Sequence, residues 1–453
     1  MVKPHIFRAY DVRGVYGEDL DEEVAELIGL GYGTLLGNKG KVVVGRDVRL
    51  SGEVLANAVA RGLSRAGCDV LELGMVTTPM VYFSTVHFKV DGGVQVTASH
   101  NPPEWNGFKL VKPGGATLSA GAGMEELKDI VLNKRFREVD KRGQIEKVDA
   151  LTPYVEFIAS RFHLDGKLTI AVDYSNGATT IPLPRIAEKL GLEIKAINDV
   201  PDGRFPAHLP EPNEETLKDL QNFVVKVGAD FGAGFDGDGD RVVFVDERGR
   251  IIPGDVTLAI YVKHLEKKGK VVFDVSSSSA LREIILEMGC EPVEMRVGRA
   301  FILNAVREQN AVIGGEKSNH FYFPEIWGFD DAVYATLKMA EIVLKSGKRL
   351  SQLVDEIPHY PSIPIKTYEC ADEVKWKVVE DIAEQYRSRG LEINTIDGVK
   401  AYFDDGWVLI RPSNTMPQIK MTAEAKTEKR LREIVEEAED LIKASIKKLA
   451  SGR

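Results

Sequence analysis

The sequence predicts an α/β protein with three tandem, similar α/β domains, whose sheets are mixed and largely parallel, and a C-terminal α+β domain. Three observations lead to this prediction: the chain length, a repeated pattern, and a change of pattern near residue 363. The 453 residues correspond to about three domains of roughly 150 residues, with four smaller ones possible. Hydrophobic residues make up 43% and charged residues 28%, which is typical of a globular protein.

A pattern of apolar strand, polar turn, amphipathic helix, glycine and second strand occurs three times. The first strands of the three copies are KVVVGRD (41–47), KLTIAVD (167–173) and KVVFDVS (270–276). Gly67, Gly191 and Gly289 follow the three helices and fit left-handed helix caps. Short apolar strands that alternate with helices of about 10–15 residues indicate βαβ units and largely parallel sheets.

The C-terminal segment has hairpin signals instead. A strand-like IPIKTYE precedes a helix near 371–389, and the turns Asp397-Gly398 and Asp405-Gly406 separate strand-like VKAYF, WVLIR and QIKMTAEA. Antiparallel strands of this kind predict an α+β domain. Proline-containing breaks place the expected domains at 1–150, 151–253, 254–362 and 363–453.

Charge and composition exclude several classes of protein. The net charge of −10 argues against nucleic acid or an anionic membrane as the main partner. No apolar run approaches the ~20 residues of a membrane span, and the N-terminus lacks the apolar core of a secretory signal. Cys68, Cys290 and Cys370 are too far apart to suggest a zinc site or a disulfide framework. We therefore expect a cytoplasmic protein, whose oligomeric state the sequence does not predict.

The segment VQVTASHNPPEWNGFK places Ser99 and His100 just past a predicted strand. Prolines after Asn101 end that strand, and Asn106-Gly107 is expected to form a second turn. Ligands of α/β sheets bind at such strand ends, where a hydroxyl can act as a nucleophile or carry a phosphoryl group. A turn whose serine bonds nearby backbone explains this segment equally well.

The segment GAGFDGDGDRVVFVDE places Asp236, Asp238 and Asp240 between glycines, followed by Arg241. Crowded carboxylates repel one another unless a cation gathers them, and their oxygens suit Mg²⁺ or Ca²⁺. A calcium loop would match at positions 1, 3, 5 and 12, the last being Glu247, but Arg241 replaces its sixth-position glycine and a strand-like VVFV follows. A solvated acidic turn is the other alternative. Three protein oxygens leave room for a phosphate oxygen, which favours Mg²⁺.

Two further polar clusters follow apolar runs. In IGGEKSNHFYFPE, Glu316 and Ser318 could bind sugar hydroxyls, although an ordinary loop also fits. The run RPSNT offers a guanidinium, hydroxyls and backbone N–H groups that could form a phosphate cup, although a plain turn also fits. Its polar residues are Arg411, Ser413, Asn414 and Thr415.

Together, TASHNPPEWNGFK, DGDGDR, GEKSNH and RPSNTMP resemble the α-D-phosphohexomutases, and most of all the phosphomannomutase/phosphoglucomutase members. The motifs occur in the family's order, about one per predicted domain, and YDVRG near the N-terminus fits as well. The sequence departs from the family pattern at Asn319, where glycine is usual, and at Met416, where an acidic residue is common. The resemblance implies four domains around a central cleft, the last related to the TATA-binding-protein fold.

The resemblance also implies an activity, a cofactor and a set of ligands. The activity is reversible conversion between the 1- and 6-phosphates of mannose or glucose, through phosphorylated Ser99 and a hexose 1,6-bisphosphate. One Mg²⁺ per chain would be held by Asp236, Asp238, Asp240 and the phosphoryl group on Ser99. The implied partners are small sugar phosphates, with no nucleic acid and no membrane.

The remaining roles implied by the resemblance concern substrate binding. Glu316 and Ser318 would bind sugar hydroxyls. The phosphate that does not react would be held by Arg411, Ser413, Asn414 and Thr415. The side chains around the transferring group would be Arg13, His100, Lys109 and Arg241, of which His100 and Lys109 are the candidates for proton transfer.

Three other functions fit parts of the same sequence. A phosphoglucosamine mutase would use the same chemistry on another sugar. A phosphate-ester hydrolase would release free phosphate, and a sugar-binding or transport-associated module would use the acidic loop for calcium. A serine-linked phosphoryl group at Ser99 distinguishes a mutase from the binding module.

Overall fold

The computed structural model describes residues 2–137, 139–413 and 416–450. The chain forms two compact units. The first comprises Met1–Thr257 and Ser318–Val354, and the second comprises Leu258–Lys317 and Asp355–Arg453. Among the described residues, no helix combines the length and the apolar character needed to cross a membrane.

The first unit begins with a six-stranded mixed sheet. Its strands are β1 (Val12–Val15), β2 (Lys41–Arg46), β3 (Asp69–Met75), β4 (Gly92–Val96), β5 (Trp105–Val111) and β6 (Ile145–Lys147). The helices of this region are α1 (Glu22–Leu35), α2 (Gly52–Arg65), α3 (Thr78–His87) and α4 (Met124–Leu132). The strand order is β1-β5-β4-β2-β3-β6, in which β2, β3, β4 and β6 are parallel and β5 is antiparallel to both neighbours. Apolar strand residues and the inner faces of the helices form one buried cluster.

A second, five-stranded sheet follows in the same unit. Its strands are β7 (Thr169–Asp173), β8 (Glu193–Ile197), β9 (Phe231–Phe235), β10 (Val242–Asp246) and β11 (Ile251–Ile252). The helices are α5 (Leu151–Ala159), α6 (Leu183–Leu190) and α7 (Lys218–Val227). The order is β11-β10-β9-β7-β8, with β7 parallel to β8 and β9, and with β10 antiparallel to β9 and β11.

The third copy of the pattern is divided between the units. The helix α8 (Gly254–Lys263) leads to β12 (Lys270–Asp274), α9 (Ser279–Glu287), β13 (Glu291–Met295), α10 (Arg299–Glu308) and β14 (Ile313–Gly315). In the second unit, β12 is parallel to β13 and β14. The first unit resumes with the antiparallel pair β15 (Phe321–Phe323) and β16 (Phe329–Asp330), and with α11 (Ala332–Ser346). The short helix α12 (Leu350–Asp355) ends this region.

The C-terminal region contains a fully antiparallel sheet. Its elements are β17 (Lys366–Glu369), α13 (Lys375–Ser388), β18 (Glu392–Asn394), β19 (Val399–Phe403), β20 (Gly406–Pro412), β21 (Gln418–Ala425) and α14 (Glu428–Ala450). The order is β17-β21-β20-β19-β18. One face of the sheet packs on α13 and α14 through an apolar cluster.

The predicted fold class is confirmed, including mixed sheets in the α/β regions and an antiparallel C-terminal sheet. The glycines after the three helices have φ of +92° at Gly67, +67° at Gly191 and +69° at Gly289, the left-handed region in which a side chain is strained. The strand β18 was not predicted, since three residues are too few for an alternation pattern to be recognised.

The turn expected at Asn106-Gly107 is wrong, because both residues lie within β5. They pair with Gly14 and Arg13 on β1. A Cβ at Gly107 would lie 2.1 Å from the carbonyl oxygen of Val12, so the glycine allows close strand packing rather than a turn.

Candidate active site

Ser99 lies on the loop that leaves the carboxyl end of β4. Its backbone has φ of +51°, which is unusual for a residue with a side chain, and only 3% of the residue is exposed. Its N–H donates to Thr97 Oγ1 at 2.8 Å. A strained, buried serine requires surrounding interactions that fix its conformation.

Arg49 supplies those interactions, and the sequence-based assignment missed it. Its buried guanidinium donates to Asp47 Oδ2 and, at 3.0 Å, to the carbonyl oxygen of Ser99. Three more carbonyl oxygens accept from the same guanidinium, at distances of 2.6–2.9 Å: those of Asn101, Pro102 and Trp105. Thr97 belongs to the same hydrogen-bond network, because its hydroxyl donates to Asp47 Oδ2 at 2.7 Å. The serine loop is therefore held by one buried ion pair.

The acidic segment forms the connection between β9 and β10 and packs against the serine loop. A Cβ at Gly237 would lie 2.6 Å from the carbonyl oxygen of Ser99, so glycine is required for this approach. The Ser99 hydroxyl donates to Asp236 Oδ2 at 2.9 Å and lies 3.1 Å from His100 Nδ1. The structure thus brings together the predicted nucleophile and the predicted metal ligands.

Asp236, Asp238 and Asp240 are buried, and each offers an oxygen within 4.8 Å of the other two. Lys109 Nζ donates to Asp238 at 2.7 Å and to Asp240 at 2.5 Å, and Thr78 donates to Asp238. Among the described residues, Asp238 Oδ1 has no hydrogen-bond donor. A buried carboxylate oxygen without a donor, in a set of three carboxylates, fits a hard divalent cation.

The pKa values of the first two carboxylates are shifted in opposite directions. Burial, followed by the charges of Asp240 and Asp238, raises the pKa of Asp236 to about 7. Burial also opposes ionisation of Asp238, but its contacts with Lys109 and Thr78 lower its pKa below the ordinary value. Lys109, which lies within β5, therefore stabilises the charged form of the cluster.

Four basic or potentially basic side chains belong to, or contact, the serine loop and the acidic segment. Arg13 on β1 donates to Asn101 Oδ1 at 2.5 Å, and Arg241 Nε donates to Asp236 at 3.2 Å. Burial, followed by the charges of Arg241, Arg13 and Lys109, lowers the pKa of His100 to about 2. His100 is therefore neutral across the physiological range, while the guanidinium and ammonium groups supply positive charge.

Three residues of the GEKSNH run, 318–320, belong to the first unit. Ser318 is exposed, and the carbonyl of Asn319, a residue with φ of +71°, accepts from the N–H of Val242. His320, which the sequence-based assignment did not include, lies 2.8 Å from Asp330 Oδ2 and 3.9 Å from Asp240 Oδ1 through its Nδ1. Its place in the same polar run was the only sequence signal for it.

Glu316 belongs to the second unit and follows β14. It is 3% exposed, and its Oε1 accepts from the N–H of Gly298 at 3.2 Å. Gly298 precedes α10 and has φ of +138°, which disfavours any residue with a side chain. The start of α10 therefore holds the carboxylate of Glu316.

The predicted phosphate cup lies at the end of β20, also in the second unit. Arg411 Nη1 donates to Asp397 Oδ2 at 2.6 Å, and Ser413 Oγ accepts from the N–H of Met416 at 3.2 Å. Lys375, missed from sequence, is buried and donates to the carbonyls of Ser413 and Met416 at 2.5 and 3.3 Å. The other two predicted residues of this cup, Asn414 and Thr415, lie outside the described residues.

Comparison with known protein families gives four matches along the chain, all described as phosphoglucomutase/phosphomannomutase. The alpha/beta/alpha domains I, II and III match residues 4–138, 152–249 and 253–360. The C-terminal domain matches residues 368–441.

The names of proteins with similar sequences agree with these family matches. A phosphoglucomutase/phosphomannomutase of Thermococcus kodakarensis is 38% identical over 460 residues, covering 98% of this chain and 99% of that protein. A protein of Methanopyrus kandleri named "Probable phosphoglucosamine mutase" is also 38% identical, over 448 residues, with coverage of 98% and 99%.

Solved structures show the same architecture. The crystal structure of a phosphoglucomutase/phosphomannomutase family protein from Burkholderia thailandensis has a TM-score of 0.91, 33% identity and coverage of 98% of each chain. An N-acetylphosphoglucosamine mutase of Aspergillus fumigatus, solved in complex with GlcNAc-6P and magnesium, shares the fold at 17% identity, with a TM-score of 0.58 and coverage of 96% and 94%. The chain belongs to the phosphoglucomutase/phosphomannomutase family of α-D-phosphohexomutases, and it is a hexose phosphate mutase, an isomerase.

Proposed function

We propose that Ser99 carries the phosphoryl group that this enzyme exchanges with its substrate. The observation that carries this proposal is the hydrogen bond from the buried Ser99 hydroxyl to Asp236 in the acidic cluster. In the proposed step, the bond between phosphorus and Ser99 Oγ breaks while phosphorus bonds to the free hydroxyl oxygen of a hexose 1- or 6-phosphate. The attacking hydroxyl gives up its proton, Ser99 Oγ gains a proton, and the product is a hexose 1,6-bisphosphate.

We assign one Mg²⁺ per chain to Asp236, Asp238 and Asp240, together with an oxygen of the phosphoryl group on Ser99. The buried Asp238 Oδ1, which has no donor among the described residues, supports this assignment. When bound, Mg²⁺ offsets negative charge that develops on the departing serine oxygen.

The side chains around Ser99 have distinct tasks in this proposal. Lys109 is charged, because it bonds to two carboxylates, and it is our candidate for the proton donor to the serine oxygen. His100 is neutral and orients that oxygen from 3.1 Å. Arg13 and Arg241 stabilise charge on the transferring phosphoryl group.

Substrate binding is assigned to six residues. Glu316 and Ser318 bind sugar hydroxyls, and the phosphate that does not react is bound by Arg411, Ser413, Asn414 and Thr415. The bisphosphate then turns end for end and returns its other phosphoryl group to Ser99. A guanidinium that donates to a phosphate forms the strong, charge-assisted kind of hydrogen bond.

We propose mannose and glucose phosphates as the substrates. The end-for-end turn roughly exchanges the 3- and 4-hydroxyls, so Glu316 and Ser318 can hold either orientation. The hydroxyl at carbon 2 meets different protein groups in the two orientations. A tight contact with this hydroxyl in one orientation would trap the bisphosphate intermediate. Since mannose and glucose differ at carbon 2, their kcat/KM values should agree within about tenfold, or ~1.4 kcal/mol.

The second candidate is a phosphoglucosamine mutase, favoured by the name of the 38% identical Methanopyrus kandleri relative. Initial rates with the 1-phosphates of mannose, glucose and glucosamine, measured side by side, separate the two. We expect glucosamine 1-phosphate to be the poorest substrate, because its amino group is charged. A preference for glucosamine 1-phosphate would show that the enzyme is a phosphoglucosamine mutase instead. A hundredfold preference between mannose and glucose phosphates would refute the argument from the end-for-end turn of the bisphosphate.

The phosphoserine itself is tested by mass spectrometry and substitution. We expect intact mass to show a fraction of the protein heavier by one phosphoryl group, about 80 Da, located at Ser99 by peptide mapping. Ser99→Ala should remove both the added mass and the mutase activity, whereas the exposed Ser388→Ala should change neither. Release of free phosphate instead of isomerised sugar phosphate would indicate a hydrolase.

We also propose four domains, which comprise residues 1–150, 151–253, 254–362 and 363–453, and a cytoplasmic location. Limited proteolysis tests the boundaries, since exposed linkers between domains are preferred cleavage sites. We expect the earliest cuts near residues 150, 253 and 363. Early cuts confined to the middle of a proposed domain would contradict them.

A further inference from the structure

The segment 198–210 follows β8 in the first unit and contains no helix or strand of its own. At its end, the carbonyl of Pro210 accepts from the N–H of Gly237 at 3.2 Å. A Cβ at Gly237 would lie 3.2 Å from Pro210 Cβ and 2.6 Å from the carbonyl oxygen of Ser99. Gly237, which belongs to the acidic segment, is therefore enclosed between segment 198–210 and the serine loop.

The middle of segment 198–210 packs on Arg49, which holds the serine loop. The Cζ atom of Arg49 lies 5.1 Å from the ring centroid of the buried Phe205, within the range of a cation–π contact. A Cβ at Gly203 would lie 2.4 Å from the carbonyl oxygen of Val48 and 2.6 Å from Arg49 Cα, so the two backbones are in direct contact. Segment 198–210 thus contacts both the acidic segment and the residue that fixes the serine loop.

The first half of segment 198–210 is held by groups that do not titrate. Asn176 Nδ2 donates to the carbonyl of Val200 at 2.8 Å, and the carbonyl of Asn176 accepts from the N–H of Asp202 at 3.0 Å. Amide groups keep these hydrogen bonds at every physiological pH. The contact of Phe205 with Arg49 is therefore independent of pH.

His208 holds the second half. Its Nε2 lies 3.0 Å from Oδ2 of Asp173, the buried last residue of β7, and its Nδ1 lies 2.8 Å from the carbonyl oxygen of Leu209. Both partners are acceptors, so both ring nitrogens make hydrogen bonds only when each carries a hydrogen, as in the imidazolium. The nearby Asn198 Nδ2, 3.5 Å from Nε2, donates to Asp173 Oδ1 at 2.9 Å. The geometry therefore favours the charged form of His208.

The charges that face His208 favour the same form. They are those of Asp173 and, on α7, of Asp219. Burial opposes protonation, but the hydrogen bonds to Asp173 and to the Leu209 carbonyl, together with the two negative charges, raise the pKa of His208. Above that raised value the neutral ring keeps only one of its two hydrogen bonds.

We propose that protonated His208 is a positioning residue for phosphoryl transfer, because it fixes the acidic segment against the serine loop through the Pro210 carbonyl. This inference rests on the proposed roles of Ser99 and of the acidic cluster. Deprotonation removes one hydrogen bond of the ring and allows the Pro210 carbonyl to move away from Gly237. The hydrogen bond of 2.9 Å from the Ser99 hydroxyl to Asp236 is then held less firmly.

The test compares His208→Gln with the wild type at about pH 6 and about pH 9, below and above the titration of the ring. Glutamine can donate to Asp173 but carries no charge. With glucose 1-phosphate at saturating Mg²⁺, kcat should be about tenfold below the wild type at the lower pH and within about twofold at the higher pH, because small misplacements of reacting groups slow a reaction strongly. KM should stay close to the wild-type value at both pH values, since His208 has no assigned contact with the sugar. The ratio of the two kcat values is compared because titration of the substrate phosphate affects both proteins alike.

Two further variants serve as comparisons. His163→Gln is the matched control, because His163 is an exposed histidine whose Nε2 lies 3.1 Å from Asp165 Oδ1, and it should match the wild type at both pH values. Phe205→Leu keeps apolar packing but removes the ring beside Arg49, so it should lower kcat by the same factor at both pH values. A loss in Phe205→Leu that disappears at the higher pH would overturn the inference, because the first half of the segment does not titrate.

A ratio of wild-type to His208→Gln kcat that does not change with pH would also overturn it, as would a loss confined to KM or to Tm. Hydrogen exchange of the Gly237 amide supplies a measurement on the wild type alone. Relative to the amides of β2, this exchange should be about tenfold faster at the higher pH, because the hydrogen bond to Pro210 opens more often. Unchanged relative exchange would count against the inference even if His208→Gln does not fold.

The same measurements separate this inference from the proposed function. If Ser99→Ala retains mutase activity while Gly237 exchange still depends on pH and on His208, the positioning of the acidic segment stands and the proposed role of Ser99 fails. If Ser99→Ala is inactive while the kcat ratio and the Gly237 exchange do not change with pH, the proposed function stands and the role of His208 fails.

Discussion

Replacement of Arg49 by methionine should release the serine loop. Met retains the length and apolar contacts of the side chain but removes the guanidinium that donates to the carbonyls of Ser99, Asn101, Pro102 and Trp105. Asp47 would remain buried and lose its ion pair. The expected result is a loop that opens far more often, while the remaining sheet stays folded.

The magnitude follows from the burial of the pair. The side chains of Arg49 and Asp47 have no exposed surface, and removal of one partner of such a pair typically costs about 3–5 kcal/mol, since it leaves an uncompensated charge. At ~1.4 kcal/mol per tenfold, even the lower value corresponds to roughly a hundredfold more frequent opening. Addition of Asp47→Asn to the Arg49→Met variant should recover part of the lost loop stability, because it removes the buried, unpaired carboxylate charge.

Hydrogen exchange of the amides between residues 97 and 106 measures this opening, and mutase kinetics measure its effect. We expect a fall in kcat that exceeds any rise in KM, because the loop places Ser99 rather than binding the sugar. The control is Arg61→Met, which breaks an exposed ion pair with Glu26 worth at most about 1 kcal/mol. Exchange rates and kcat within threefold of wild type for Arg49→Met would refute the assigned role.

Three further predictions concern the acidic cluster, the phosphate cup and a histidine. Asp238→Asn should raise the Mg²⁺ concentration for half-maximal activity at least tenfold, since one of the three proposed carboxylate ligands is neutralised; wild-type turnover in chelator would contradict it. Arg411→Ala should raise KM and weaken phosphate inhibition, because a charge-assisted hydrogen bond contributes about 1.5–3 kcal/mol, and unchanged values of both would disprove the contact. Burial opposes protonation of His208, but its bond to Asp173 at 3.0 Å and its contact with the Leu209 carbonyl raise its pKa. Its stabilising contribution is therefore complete below the unfolded pKa of about 6.5 and is lost as pH rises through the higher folded value. The decrease in Tm over that pH range should be smaller in His208→Gln than in the wild type. An identical decrease in the two proteins would argue against the raised pKa of His208.

Residues whose chemistry is concentrated in a short segment could be predicted from the sequence. Asp236, Asp238 and Asp240 alternate with glycines, so their crowding is visible without a fold, and the structure places them in one cluster. Ser99 could be located at a strand end because prolines interrupt the segment after it. The helix caps at Gly67, Gly191 and Gly289 were likewise local features.

Supporting residues could not be predicted, because their partners are distant in sequence. Arg49 is 50 residues from Ser99, and Lys375 is 38 residues from Ser413. An arginine or lysine considered alone is most often a surface residue, and nothing in GRDVR distinguishes a buried guanidinium from a solvated one. The error at Asn106-Gly107 has a related cause, since the glycine there is required by the carbonyl of Val12 on a neighbouring strand.

The internal ion pairs also explain why charge alone gives a poor estimate of ligand affinity at these sites. Buried or half-buried charges are costly without a counterion, so the free protein pairs Asp238 and Asp240 with Lys109, and Arg411 with Asp397. A cation that binds the carboxylates, or a phosphate that binds the guanidinium, therefore competes with a partner already present. Removal of that partner, as in Asp397→Asn, should strengthen phosphate binding if competition dominates and weaken it if orientation of Arg411 dominates. Since Asp397 Oδ2 is also fixed by the N–H of Val297, orientation is the stronger effect, and we expect weaker binding.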